Sequence, residues 1–393
     1  FIFNKRRVEE MAELIRERKI EIEFGITTRV NTVNQEILNK LKLELINLAR
    51  LLNDEDIISI VTFSDFSQVI LHPCKIKDLG SELSKIQGIV AGGSTEIVKG
   101  LQEGISVLHN LENSSAKLLY LITDGHTYGD EDKCIKVIRE ASEKGIIFQA
   151  IGVGKDWNDE FLDTLSKIAG GETQFVNSSD EMYKILNSKI QNFGVLFSKS
   201  VRISFNLHPN VKLNYAFRLS PDLSRLETSS EIQLGNLYSE KHLRVIFEFI
   251  IDELPDEIKE IRLSHGSIKV EIPTNTIFTK RYFYDFKRPV LPRVEKEKIP
   301  PVIINALSSL SLYRIQEKAR EDVREGNYNK ATKRLQNLAS HLVSKGNHEL
   351  AKTIIQEVDT LQKTNHFSEL GIKKIKYGTR SLLMLPEPYR EDK

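Results

Sequence analysis

At 393 residues the chain exceeds one ordinary domain, and two or three are expected. Lys+Arg 56 against Asp+Glu 55 is a balanced charge, which argues against a nucleic-acid or other polyanion surface. The two cysteines, Cys74 and Cys134, are too few for a disulfide framework and suit a reducing compartment, so a cytoplasmic location is expected. No apolar run approaches the roughly 20 residues of a membrane span, and no signal-peptide pattern opens the chain. Because the sequence starts at Phe1 rather than Met, a preceding N-terminal piece is expected.

Residues 5–18 read as a short charged helix with Val8, Met11, Leu14 and Ile15 on one stripe. The stretch 19–30 alternates, with Ile20, Ile22 and Phe24 on one face and Glu21 and Glu23 on the other. That pattern suits a half-exposed strand, since two unpaired carboxylates at the centre of a parallel sheet would be costly. An amphipathic helix follows over 35–52, then a buried strand over 57–63 with a hairpin neighbour at 67–71. Helices over 79–87, 95–109, 131–144, 159–169 and 180–192 alternate with strands over 117–122, 146–152 and 173–176. This alternation predicts an α/β domain, doubly wound around a mostly parallel sheet covered on both faces.

After Gly194 the helical period disappears. Segments 200–207, 211–219, 230–237, 242–251 and 260–272 are short, alternating and separated by turns, which predicts an all-β sandwich. Helices over 302–325, 328–344 and 347–363 then form a helical module. Leu335, Leu338, Leu342, Leu350, Ile354, Ile355 and Val358 supply the apolar faces of a hairpin packed against 302–320. The expected division is 1–34, a helix and strand assigned to the sandwich; 35–193, the α/β domain; 194–292, the sandwich; 300–375, the helical module; and 376–393, a tail.

Two segments carry chemistry. Gly92-Gly93-Ser94-Thr95 turns into helix 95–109, and strand 117–122 ends in Thr123-Asp124-Gly125-His126. Polar groups at the carboxyl ends of such a sheet converge on one crevice. Thr95 and Asp124 would meet there as a hydroxyl and a carboxylate suited to Mg²⁺. Taken singly, Ser94 and Thr95 read as helix caps and Asp124-Gly125 as a turn.

Together the two segments resemble two of the three metal-site motifs of von Willebrand factor type A domains. The resemblance is specific over 57–176, including Gly152-Val153-Gly154 with Trp157 and Gly170-Gly171 with Phe175-Val176, and looser beyond. It implies a Mg²⁺ site using Thr95 and Asp124. Gly93, Ser94, Gly125 and His126 would contact a protein ligand that offers an acidic side chain to the ion. The family's first strand ends in Asp-x-Ser-x-Ser. Counting back from Phe63 reaches Thr28, Val30 and Thr32, where valine offers no oxygen and Arg29 adds a positive charge. Two readings stand: the motif is degenerate, or the true first strand is absent from the chain between about Val33 and Gln35.

No catalytic constellation emerges: there is no nucleophile with a base, no phosphate-cradling loop and no paired general acids. The histidines His109, His126, His208 and His265 show no zinc spacing, and Gly152-Val153-Gly154 lacks the third glycine of a dinucleotide fingerprint. The expected function is a non-enzymatic protein-binding adaptor. The alternative is an enzyme-associated regulatory subunit with a decayed metal site, binding partners through its helical tail.

Overall fold

The computed structural model describes residues 20–27, 39, 41–47, 52–90, 95–111, 116–127, 129–193, 196–221, 223–238, 242–255, 257–272, 278–291 and 301–383. The chain divides into two units, 1–292 and 293–393.

The first unit opens with a six-stranded sheet. Its strands are β1 (Ile20–Thr27), β2 (Ile57–Phe63), β3 (Ser67–Lys75), β4 (Ala116–Thr123), β5 (Ile146–Val153) and β6 (Thr173–Val176). They lie in the order β3-β2-β1-β4-β5-β6, and every pairing is parallel except that of β2 with β3. The helices are α1 (Leu83–Gln87), α2 (Ile97–His109), α3 (Glu131–Glu143), α4 (Asp159–Ile168) and α5 (Ser179–Phe193). Every residue of β5 is buried, as a strand covered on both faces requires. On α2 the buried set Ile97, Val98, Leu101 and Leu108 follows the helical period. The core under the sheet gathers Ile58, Ile60, Leu118, Tyr120, Ile122 and Ile151, with Leu41 and Leu45 from the helical stretch 41–47.

The position of β1 corrects one expectation. Strand 20–27 does not complete the sandwich; it is a central strand of the parallel sheet, paired with β2 on one side and β4 on the other. Glu21 and Glu23 stand opposite Ile57 and Ser59 on β2 and opposite Lys117 and Leu119 on β4. Alternation of side chains reports a preferred environment, but pairing on both edges is decided by the rest of the sheet. The predicted helix 5–18 lies outside the described residues.

The remainder of this unit is a sandwich of two antiparallel sheets. One holds β7 (Leu196–Leu207), β10 (Glu231–Tyr238), β12 (Glu260–Ile272) and β13 (Phe278–Pro289), in the order β10-β7-β12-β13. The other holds β8 (Val211–Ser220), β9 (Ser224–Arg225) and β11 (Arg244–Ile251), in the order β11-β8-β9. Alternate residues Val201, Ile203 and Phe205 of β7 enter the core, where the Phe205 ring meets Phe247 at 5.1 Å and Tyr284 at 6.2 Å. Strand β13 was not expected. Its charged and aromatic side chains are largely exposed, so no buried alternation marks it.

One buried arginine joins the sandwich to the α/β domain. Arg218 on β8 is 1% exposed and donates from Nη1 to the carbonyl oxygens of Gly170 and Leu234 (2.9 Å to the latter) and from Nη2 to that of Gly171 (3.0 Å). Gly170, just past α4, and Gly235 on β10 make this approach possible. Both have positive φ, and a Cβ on Gly235 would collide with the Arg218 guanidinium and the Gly170 carbonyl.

The second unit contains α6 (Pro301–Arg324), α7 (Tyr328–Ser344), α8 (His348–Thr364) and α9 (Glu369–Ser381). Leu335, Leu338, Leu342, Ile354 and Val358 are buried together with Leu312 and Ala319 of α6, and Leu350 packs against them half-buried. Ile355 does not join them and is 52% exposed, because it lies one position off the buried stripe of α8. The expected boundary at 375 falls inside α9, so the helical region continues into what was read as tail.

Candidate functional site at the carboxyl edge of the sheet

The register of β1 sets the geometry. Thr27 pairs with Phe63 and Ile26 with Ile122, so β1, β2 and β4 end side by side. Just past β2, the Ser64 carbonyl accepts a hydrogen bond from the Glu96 amide at 3.1 Å, which holds the start of α2 against the same edge. The loop after β4 holds that start from the other side. Thr127 Oγ1 accepts from the Ile97 amide at 3.2 Å, Asp130 Oδ2 accepts from the Val98 amide at 2.9 Å, and the Thr127 hydroxyl donates to Asp130 Oδ1. Asp130 thus places a buried carboxylate at the positive end of the α2 dipole.

These bonds bring the two halves of the expected site to one edge, since Thr95 immediately precedes α2 and Asp124 opens the loop that caps it. Thr95 is 1% exposed, and its Oγ1 has no hydrogen-bond partner among the described residues. It therefore does not cap the helix; Thr127 and Asp130 do. Asp124 and His126 are half-buried, while Gly125 is buried and its amide donates to Thr123 Oγ1 at 3.3 Å. Gly93, Ser94, Thr28, Val30 and Thr32 lie outside the described residues. Sequence reasoning missed Thr127 and Asp130. Their Thr-x-x-Asp spacing ahead of α3 is a capping signal, but it reads locally, as a cap for α3 rather than for α2.

Comparison with known proteins agrees with this architecture. The profile of the von Willebrand factor type A domain matches residues 31–191, and that of the Sll0103-like C-terminal alpha-helical domain matches 301–385. This chain carries a von Willebrand factor type A domain. The uncharacterised protein sll0103 of Synechocystis sp. is 21% identical over 226 residues, 55% of this chain and 54% of that protein. The chain thus spans about half the length of that relative. A von Willebrand factor type A protein from Catenulispora acidiphila superposes with a TM-score of 0.69 at 13% identity, over 92% of this chain and 89% of that one. The ArnB paralog VWA2 from Sulfolobus acidocaldarius superposes with a TM-score of 0.51 at 13% identity, over 93% and 89% respectively. At these identities the structural likeness establishes the fold alone.

Type A domains often mediate protein–protein interaction, and they can hold a metal ion at this edge. The residues present here do not fit a complete ion site. β1 takes the central place between β2 and β4, and in the sequence it runs into residues 28–32. Residues 27–32 (Thr-Thr-Arg-Val-Asn-Thr) contain no carboxylate and one arginine, whichever residue starts the alternation. Asp130 is engaged at α2, and no cluster of three His, Cys, Asp or Glu side chains capable of holding a metal occurs among the described residues. Asp124 offers a carboxylate at this edge, while residues 27–32 offer none and include Arg29. A hard dication prefers more anionic oxygen than this.

Proposed function

We propose that this chain is a non-enzymatic protein-binding module whose type A domain takes a partner at the carboxyl edge without a resident divalent ion. The observation that carries the reading is the central place of β1. On this reading the carboxylate-free segment 27–32, which closes and follows β1 in the sequence, stands where the family's first metal motif would be. In the family's ion-dependent mode the cation attracts an acidic side chain of the partner. Here Arg29 supplies positive charge instead, as a guanidinium suited to bidentate capture of a carboxylate. Thr95, Gly125 and His126 complete the polar edge. A cytoplasmic location belongs to this proposal; the two cysteines are unpaired, and no helix among the described residues is long and apolar enough to cross a membrane.

A second reading, a regulatory subunit that binds an enzyme through its helical module, is supported by the exposed Ile303, Ile304 and Leu307 on α6. Affinity capture with the full chain, repeated with EDTA, separates the two. Under the first reading Arg29→Glu loses the partner and EDTA does not. Loss through Ile304→Asp/Leu307→Asp, with Arg29→Glu silent, supports the second. Release by EDTA, or saturable Mg²⁺ binding by calorimetry, refutes the metal-free mode.

A further inference from the structure

The two edges of the four-stranded sandwich sheet differ. At one, β10 closes on the α/β domain, and a Cβ on Gly235 would lie 2.8 Å from the Gly170 carbonyl oxygen. At the other, β13 pairs with β12 on one side and with no strand on its far side among the described residues. Such an edge is a template for another strand. It is also regular. Pairing with β12 is unbroken from Ser264 opposite Phe286 to Ile272 opposite Phe278, and the proline of β13 stands at its end, at Pro289. The Tyr284 hydroxyl donates to the Ser204 carbonyl at 2.9 Å and pins the strand to the sheet.

Side chains alternate across a strand. Tyr284 packs on the core beside Phe205, so Thr279, Arg281, Phe283, Asp285 and Lys287 share the outer face. Phe283, midway along that row, is 80% exposed. A bland account of the charges is edge protection, in which basic side chains deter a second strand. It explains neither the bare Phe283 nor the place of Arg281. Arg281 stands opposite Lys269 of β12, a like charge, and has no ion pair among the described residues. Like charges directly opposite each other destabilise a sheet, so compensation for Arg281 has to come from the open side. Asp285 reaches Arg262 at 2.9 Å and Lys287 at 3.8 Å, and its side chain is still 45% exposed.

Arg281 and Asp285 lie two positions to either side of Phe283. A two-fold axis perpendicular to the sheet at Phe283 therefore sets Arg281 of each copy opposite Asp285 of the other, and Thr279 opposite Lys287. The two Phe283 rings meet at the axis. Moved one residue, to Tyr284, the axis would oppose Arg281 to Lys287. We propose that the chain forms a symmetric dimer by antiparallel pairing of β13 with β13 of a second copy, in the register centred on Phe283. The pairing joins two four-stranded sheets into one, and the symmetry makes each contact twice. This surface is separate from the carboxyl edge of the type A sheet, so its failure leaves the protein-binding reading untouched.

Sedimentation equilibrium of the full chain over a concentration series tests the assignment. The native chain should show a monomer–dimer equilibrium. Arg281→Asp and Asp285→Arg should each weaken it by at least ~10-fold with unchanged thermal unfolding, and the double swap, which restores opposite charges across the axis, should recover it. Phe283→Asp should also weaken the dimer, whereas Arg29→Glu should leave it unaltered. With Cys74→Ser, Phe283→Cys should form an interchain disulfide on oxidation, because directly opposed residues of an antiparallel pair have Cα atoms about 4.5–5.5 Å apart, within disulfide reach. A monomer at every concentration, or a dimer indifferent to both Phe283→Asp and Arg281→Asp, overturns the surface. A double swap no tighter than the single variants overturns the register.

Discussion

Replacing Arg218 by Ala tests whether the sandwich and the type A domain are joined through one buried guanidinium. Truncation leaves the carbonyls of Gly170, Gly171 and Leu234 without this donor. Hydrogen bonds to a charged group contribute about 1.5–3 kcal/mol each, so a simple sum reaches about 4.5–9 kcal/mol. Removing the guanidinium also relieves its own desolvation, and water enters the vacated space. The expected net loss is therefore about 3–5 kcal/mol. Trp157 is the chain's one tryptophan, 1% exposed and bonded through Nε1 to the Gly154 carbonyl, so its fluorescence reports on the type A domain. Denaturant unfolding followed at Trp157 should move to lower concentration in Arg218→Ala. Gly235→Ala should destabilise as well, and by somewhat less when combined with Arg218→Ala, because the added methyl no longer meets a guanidinium while the positive φ and the Gly170 carbonyl still oppose it. An Arg218→Ala protein within about 0.5 kcal/mol of the native one, or full additivity with Gly235→Ala, would refute the reasoning.

Three further outcomes are expected. Leu338→Ala, at a fully buried position, should cost about 2–5 kcal/mol by circular dichroism of helix melting, whereas Ile355→Ala at 52% exposure should stay within about 0.5 kcal/mol. Asp130→Ala removes the carboxylate that caps α2 from across the loop. It should cost about 1–2 kcal/mol by Trp157 fluorescence, with Asp130→Asn milder because one side-chain oxygen remains. Hydrogen bonds from Lys75 and Lys77 hold the Glu55 carboxyl down from 4.5 to about 2. A depressed carboxylate stabilises the fold above its ordinary pKa and loses that contribution as pH falls through the folded value. Glu55→Gln should therefore flatten the decline of stability between pH 4.5 and 2, and an unchanged acid limb would count against the pairing.

Much of the architecture was legible in the order of apolar periods. Strands such as β5 carry unbroken hydrophobic runs, and helices such as α2 repeat buried residues at the helical period, so the change from α/β to sandwich to helical module shows along the chain. The motif segments at Thr95 and Asp124 were legible too, because glycine turns and strand ends have local signatures. What the sequence left undecided was every relation that depends on a distant partner. The alternation of Ile20, Ile22 and Phe24 with Glu21 and Glu23 expresses a local preference, and pairing with both β2 and β4 overrides it. Under the proposed function, that pairing is what lets 27–32 stand as the counterpart of the family's first metal motif. Asp130 lies beside α3 in sequence yet caps α2, and Arg218, which local pattern alone marks as an ordinary strand cation, is buried against carbonyls 47 and 48 residues away. Hydrophobic period is a property of neighbours along the chain; where a charge finds its acceptors is a property of the packed fold, and there the tertiary structure alone decided.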